Sequence, residues 1–206
     1  MTPFTIERNN YLSRDIQGFY HTHFGGVDLP NNPNFLYKLK NDIHHNWTID
    51  QLKTAMQEFA NILMVDLPQI QIQLGQQQLT ICVVPRSKAD NTYRQNQLLL
   101  KATIKHVVNK LALIDGTEYI KRHTNTKTTH LKKPMEGFNN DGDLPYVGIT
   151  NATCNISNDV NGKDILLIDD IYTKTVNIDE DAIQALLNKG ANSVAFYAIG
   201  NTVSKF

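Results

Sequence analysis

The 206-residue sequence predicts one α/β domain with a mainly parallel, twisted sheet flanked by helices. Residues 165–168 form a continuous run of β-prone apolar residues, as expected for a central strand that is covered on both faces. A second apolar run, at 79–84, is also followed by a helical pattern. Because strands that alternate with helices pair in parallel, the two runs favour this fold class.

The N-terminal third of the chain contains one clear helix. Residues 1–33 are polar and rich in turn-forming residues, which predicts an irregular arm. Thr48 and Gln51 have the spacing of a capping box, and apolar residues then recur with helical spacing over 49–64. Pro68 is expected to end this unit. The alternation of Ile or Leu with Gln at 70–74 predicts a half-exposed strand at the sheet edge.

The central strand at 79–84 leads to a helix predicted over 93–111. The polar segment 121–134 then has two open interpretations: a mobile lid over an active site, with Arg122 and His130 as candidate contacts, or a plain surface loop. Residues 146–149 predict a short strand, and 193–199 predict another after the helix that follows the apolar run at 165–168.

Two carboxylates, Asp169 and Asp170, directly follow the apolar run at 165–168. In open α/β sheets the ligand crevice lies beyond the carboxyl ends of the strands. Adjacent acids at that place suit a hydrated cation or sugar hydroxyls. The loop 171–177 then brings hydroxyls and backbone N–H groups to a helix start, which suits a phosphate. This pattern indicates a sugar-phosphate site.

This segment resembles the phosphoribosyl-pyrophosphate motif of type I phosphoribosyltransferases. In that motif an apolar strand, two acids, an apolar residue and one free position precede Thr-Thr-Gly-x-Thr. The loop matches at 171–173 and departs where the motif has Thr, Gly and Thr, at Lys174, Thr175 and Asn177. A β-branched residue resists the positive φ that Gly allows, so Thr175 predicts a loop that is reshaped rather than strained. Lys174 would then supply charge to the phosphate.

A second similarity points to the ComF-like branch of that family. Val-Val-Pro-Arg at 83–86 and Tyr-Arg-Gln-Asn-Gln at 93–97 resemble its Val-Pro strand end and its Arg-Gly-Phe-Asn-Gln-like helix start. Residues 35–40 and the helix from 49 take the places of its Leu-Lys-Tyr segment and long helix, and Arg122, Thr126 and Thr129 resemble its hood segment. The branch's N-terminal zinc ribbon is not expected, because the chain has only Cys82 and Cys154.

The resemblance implies a single phosphoribosyltransferase-type domain, with 1–66 as an N-terminal arm and helical hood and 67–206 as the α/β core. The protein would use phosphoribosyl pyrophosphate and Mg²⁺ to transfer phosphoribose to an unidentified acceptor, a nitrogenous base or an amine. Asp169 and Asp170 would act in catalysis at the ribose hydroxyls and would meet the metal indirectly. The 5′-phosphate would lie on Ile171, Tyr172, Thr173, Lys174, Thr175, Val176 and Asn177, and the pyrophosphate on Arg86, Ser87 and Lys88.

The alternative is a catalytically degenerate sugar-phosphate-binding or interaction protein on the same fold, linked to DNA uptake through the ComF-like branch. Twenty basic and twenty acidic residues balance, which argues against direct nucleic-acid binding. No long apolar stretch or signal-like N-terminus is present, so we expect a cytoplasmic protein without a membrane partner. A homo-oligomer is compatible with the sequence.

Three further groups of residues have ordinary interpretations. The histidine pairs His21/His23 and His44/His45 are interpreted as surface residues rather than metal ligands, because no Cys or carboxylate pattern accompanies them. The acids at 179–181 are interpreted as complements to a helix dipole. Cys82, within an apolar strand, is expected to be a small core residue.

Overall fold

The computed structural model describes residues 1–25, 29–41, 47–128, 140 and 148–202. The strands are β1 (Thr2–Ile6), β2 (Ile16–Phe24), β3 (Thr80–Val83), β4 (Ile114–Asp115), β5 (Ile120–Arg122), β6 (Cys154–Ile156), β7 (Asp164–Tyr172) and β8 (Ser193–Thr202). The helices are α1 (Phe35–Lys40), α2 (Ile49–Leu74), α3 (Leu99–Lys110) and α4 (Ile178–Asn188). Short 3₁₀ turns cover Asp90–Thr92, Gln95–Gln97 and Asn158–Val160.

Within the described ranges the main sheet has six strands in the order β1-β2-β8-β7-β3-β4. Strand β1 is antiparallel to β2, and every other neighbouring pair is parallel. Strands β5 and β6 form a separate antiparallel pair. The α/β class with a mostly parallel sheet flanked by helices is therefore confirmed, and the architecture is Rossmann-like.

The sheet is covered on both faces. Successive residues of β7 alternate between two apolar cores, because side chains of a strand point to opposite faces. Leu166 and Ile168 pack with α1, α2 and α3, whereas Ile165 and Leu167 pack with α4. All four side chains are buried, so the prediction of a central strand covered on both sides is confirmed.

Helix α2 begins at the predicted capping box but continues through Pro68 to Leu74. Gly75 ends it in the left-handed conformation, at φ 64°. The predicted strand at 70–74 is therefore wrong, as is the expectation that Pro68 ends the helix. Ile70 is completely buried in the same core as Leu63 and Leu67, while Ile72 is 78% exposed. Burial along this face offsets the backbone hydrogen bond that Pro68 cannot make.

The predicted irregular arm at 1–33 is also wrong, because it contains β1 and β2. Strand β2 pairs in parallel with β8, from the other end of the chain. Gly18 lets β1 and β2 approach, since a Cβ at this position would lie 2.6 Å from the ring of Phe4. The boundary predicted between residues 66 and 67 falls inside α2.

Two other elements differ from the sequence predictions. Helix α3 begins at Leu99 rather than near residue 93, and the preceding residues form the turn Gln95–Gln97. Of the strand predicted at 146–149, residues 146 and 147 lie outside the described residues, and Gly148 and Ile149 are not in a strand. No helix in the described part of the chain is long and apolar enough to cross a membrane.

Candidate functional site

A cavity of about 150 Å³ lies at the carboxyl ends of the adjacent parallel strands β3 and β7. Asp169 and Asp170 line it from β7, and Arg86 and Ser87 line it from the loop after β3. The structure thus brings the predicted acids together with two of the three predicted pyrophosphate residues. Further cationic and hydroxyl side chains line the same cavity: Lys40, Lys101, Arg122, Thr126, Lys127 and Thr128.

Asp169 forms a carboxyl pair with Asp179, which lies in the first turn of α4 and is 5% exposed. The Asp169 carboxylate also accepts the backbone N–H of Asp170 at 2.8 Å. Two carboxyl groups can hydrogen-bond only if they share a proton. Burial and the Asp170 charge raise the pKa of Asp169 to about 7, and burial and the Asp169 charge raise the pKa of Asp179 well above its usual value.

Asp170 makes an ion pair with Lys40, the last residue of α1, with 2.9 Å between Lys40 Nζ and Asp170 Oδ2. Both side chains are about one-fifth exposed, at 23% and 18%. Sequence reasoning assigned no role to Lys40, because nothing local links it to a residue so distant in the chain. Its place at the end of a short helix with two fully buried leucines is what directs it to the acids.

The acids at 179–181 are more than complements to the helix dipole. Glu180, 1% exposed, accepts a hydrogen bond from the Tyr172 hydroxyl at 3.0 Å, and Asp181 accepts from the Ile149 N–H at 2.9 Å. Burial raises the pKa of both carboxyls. Successive side chains of a helix are rotated by about 100° around its axis. Three consecutive acids therefore cannot all lie on the exposed face of α4. That geometry is the signal in the sequence that could have revealed the burial of Asp179 and Glu180.

Several contacts of the predicted pyrophosphate loop with the described residues are made to neutral groups. Arg86 Nη1 donates to the carbonyl of Gln97, and its guanidinium lies 4.2 Å from the centre of the Tyr93 ring. Ser87 Oγ is 2.6 Å from Thr128 Oγ1. Lys88, in contrast, is buried and does not line the cavity. The cavity therefore receives Arg86 and Ser87 from this loop.

Gln97 joins this loop to helix α1. Its Nε2 donates to the carbonyl of Asn41 at 2.8 Å, and its Oε1 accepts the N–H of Arg94 at 3.1 Å. Together with the bond from Arg86, these contacts tie the end of α1, which carries Lys40, to the loop after β3. The Asn-Gln pattern at 96–97 thus has a structural role beside the cavity.

The predicted 5′-phosphate loop is shorter than expected. Strand β7 continues to Tyr172 and pairs with β8 up to Asn201, so Ile171 and Tyr172 belong to the strand. Tyr172 is buried and is not available to a ligand. None of the residues 173–177 lines the cavity, whereas Ile178, which begins α4, does. Ile171 and Tyr172 are therefore strand residues and not part of a loop, while the 5′-phosphate assignment itself stays a prediction.

The side chains of this loop have partners within the protein. Lys174 Nζ lies 2.8 Å from Glu7 Oε2, and both side chains are largely exposed. Asn177 is at the helix N-cap, as expected of Asn, but its side chain accepts from Asn9 instead of capping the helix. Among the described residues of this loop, Asn177 and not Thr175 has a positive φ, at 59°. The loop avoids strain at Thr175, and its left-handed turn lies at Asn177.

The described part of the predicted lid is docked to the protein. Arg122 is 6% exposed, and its guanidinium donates to the carbonyls of Arg86 at 2.6 Å and Gly148 at 2.8 Å. Thr126 N–H donates to the carbonyl of Ser87 at 2.7 Å. Arg122 and residues 126–128 thus form part of the cavity wall in this structure, and the lid interpretation stays a prediction. Thr129, His130 and the rest of the segment to 134 lie outside the described residues.

His21 and the two cysteines have structural partners or surroundings. His21 Nδ1 lies 2.8 Å from Asp66, which also accepts from the Tyr197 hydroxyl at 2.6 Å. His44 and His45 lie outside the described residues. Cys82 is a buried core residue, as predicted, and burial raises its pKa to about 12. Burial also raises the pKa of Cys154, so neither thiol is poised to react.

No family model, curated protein or solved structure matches this chain. The chemistry of the site therefore follows from its own residues.

The residues present do not fit direct binding of the Mg²⁺ that the resemblance implies. Asp170 is already paired with the Lys40 ammonium, and Asp169 interacts with Asp179, where burial raises the pKa of both carboxyls. A divalent cation requires ionised oxygen ligands that are available to it. In the described ranges, no group of three or more His, Cys, Asp or Glu side chains could hold a metal ion.

Proposed function

We propose that this protein is a type I phosphoribosyltransferase-like enzyme that transfers phosphoribose from phosphoribosyl pyrophosphate to a nitrogenous base or amine. The observation that carries the proposal is the cavity between the ends of β3 and β7. It combines two adjacent acids, Asp169 and Asp170, which suit sugar hydroxyls, with cationic side chains, which suit a diphosphate. Arg86 and Lys127 are among these cations.

The reaction would be a substitution at the ribose C1, in which the bond to the acceptor nitrogen forms, the bond to pyrophosphate breaks and the N–H proton of the acceptor is released to water. Its transition state carries positive charge on the sugar and negative charge on the leaving group. Asp170 would orient the ribose hydroxyls, while Arg86 and Lys127 would stabilise the departing pyrophosphate. The two carboxylates would not hold Mg²⁺ in this arrangement, because both have other partners.

The walls of the cavity support a base as the acceptor. Leu39, Leu98 and Leu100 line it beside the charged groups, and such an apolar wall suits a flat ring. The 5′-phosphate would lie at the edge where Ile178 begins α4, because backbone N–H groups at a helix start favour an anion.

The second candidate function is sugar-phosphate binding without turnover. It is favoured by the 173–177 loop, which lies outside the cavity and whose Lys174 is paired with Glu7. A loop in this arrangement presents fewer groups to a phosphate than the family motif requires. Such a protein would act through a partner, as expected for the ComF-like branch.

A pyrophosphate-release assay distinguishes the two functions. Phosphoribosyl pyrophosphate is incubated with the protein and a panel of purine, pyrimidine and amine acceptors, with Arg86→Gln as the loss-of-charge variant. We expect acceptor-dependent release that falls at least about tenfold in Arg86→Gln, because a charged donor on the leaving group contributes about that much. Binding without release for any acceptor would establish the second function instead.

A further inference from the structure

Lys40 is fixed in place by its surroundings. It is the last residue of α1, whose Leu36 and Leu39 are fully buried in the core. The next residue, Asn41, has a left-handed backbone at φ 38°, and its carbonyl is held by the buried Gln97 side chain. The ammonium therefore reaches Asp170 from a rigid base and not from a flexible loop.

Asp169 and Asp170 have few carboxylate oxygens left to bind a second cation. Asp170 Oδ2 is 2.9 Å from Lys40 Nζ, and the Asp169 carboxylate is engaged by Asp179 and by the N–H of Asp170. A divalent ion beside Asp170 would lie within a few ångströms of the ammonium. Two positive groups at that distance repel each other strongly in a partly buried site.

We propose that Lys40 is the built-in cation of this site, taking the place beside Asp170 that a divalent metal ion would otherwise occupy. The sugar phosphate would then meet an ammonium on the protein, which is a point charge held beside Asp170. The ligand in this inference rests on the proposed function, but the exclusion of metal by Lys40 does not.

Titration with Mn²⁺ alone tests the exclusion, because the spin-resonance signal of the free ion reports how much is bound. We expect Lys40→Met, which keeps the apolar stem, to bind Mn²⁺ about tenfold more tightly than the wild type, a change of about 1.4 kcal/mol. Asp170→Asn added to Lys40→Met should remove the gain. Lys40→Arg keeps the charge and should behave as the wild type. Lys38→Met, on the same helix, is the matched control.

The same titration has an outcome that would contradict the proposal. Saturable Mn²⁺ binding by the wild type that Asp170→Asn abolishes and Lys40→Met leaves unchanged would overturn the proposal. Circular dichroism of each variant shows whether it is folded, and Lys40→Gln replaces Lys40→Met if the latter is not. Inorganic pyrophosphate binding in the presence of a chelator is the second measurement, and it should persist in the wild type and fall about tenfold in Lys40→Met. If pyrophosphate binds to no form while the Mn²⁺ result holds, Lys40 is the cation and the transferase function is wrong.

Discussion

Replacement of Arg122 by methionine is expected to lower the free energy of unfolding by about 3 kcal/mol or more, because hydrogen bonds from a charged donor contribute about 1.5–3 kcal/mol each. The guanidinium holds the carbonyl of Arg86 at 2.6 Å and that of Gly148 at 2.8 Å, and it is buried. Methionine fills similar space but leaves both carbonyls without this donor. The loop after β3 should therefore loosen, and sugar-phosphate affinity should fall together with stability.

Urea unfolding of the variant and of Lys121→Met measures this effect. Lys121 is the neighbouring residue in β5 and is exposed, with a surface ion pair to Glu118 at 3.2 Å. Its replacement should change the free energy of unfolding by about 0.5 kcal/mol or less. If Arg122→Met were as stable as Lys121→Met, Arg122 would not hold the cavity wall together.

Replacement of Asp179 by asparagine is expected to flatten the dependence of stability on pH. The pKa of Asp169 is raised to about 7 in the folded protein, and that of Asp179 is raised as well. An unfolded Asp titrates near about 3.9, so between about pH 4 and 7 the folded state binds more protons than the unfolded state. The stability that the shared proton contributes is therefore complete at low pH and is lost as pH rises through the folded pKa.

For one proton the slope is at most about 1.4 kcal/mol per pH unit, falling towards high pH. In Asp179→Asn the new side-chain amide would donate an N–H to Asp169, and this amide does not titrate. The variant should therefore be more stable than the wild type by about pH 8. Urea unfolding across this pH range measures the difference in slope. Asp50→Asn, an exposed first-turn acid of α2, is the matched control and should keep the wild-type slope. Identical slopes for wild type and Asp179→Asn would contradict the shared proton.

The central strands could be predicted because a strand that is buried on both faces is apolar throughout, whatever its neighbours are. The end of α2 could not be predicted, because Ile-Gln-Ile-Gln-Leu alternates as a strand does. The burial of Ile70 depends on tertiary packing. Strands β1 and β2 depend on pairing with β8, which comes from the other end of the chain. Local sequence patterns do not predict pairing between strands so far apart in the chain.

The same distinction applies to the candidate site. Asp169, Asp170 and Arg86 could be predicted to meet, since each lies near the carboxyl end of a strand of a parallel sheet and the carboxyl ends of such strands share an edge. The residues that pair with these acids, and so set their charge and protonation, could not be predicted. Lys40 reaches Asp170 from α1, and Asp179 reaches Asp169 from α4. These are contacts between elements, set by packing and not by spacing in the sequence.

Calorimetric titration with phosphoribosyl pyrophosphate tests most directly whether this cavity binds a phosphorylated sugar. We expect saturable binding with one ligand per chain, displaced by inorganic pyrophosphate and by ribose 5-phosphate. Asp170→Asn should weaken the affinity about tenfold, a loss of about 1.4 kcal/mol. Asp164→Asn, at the opposite end of the same strand, should leave the affinity unchanged. The absence of saturable binding by the folded wild-type protein, or equal losses in the two variants, would contradict the assignment of the cavity.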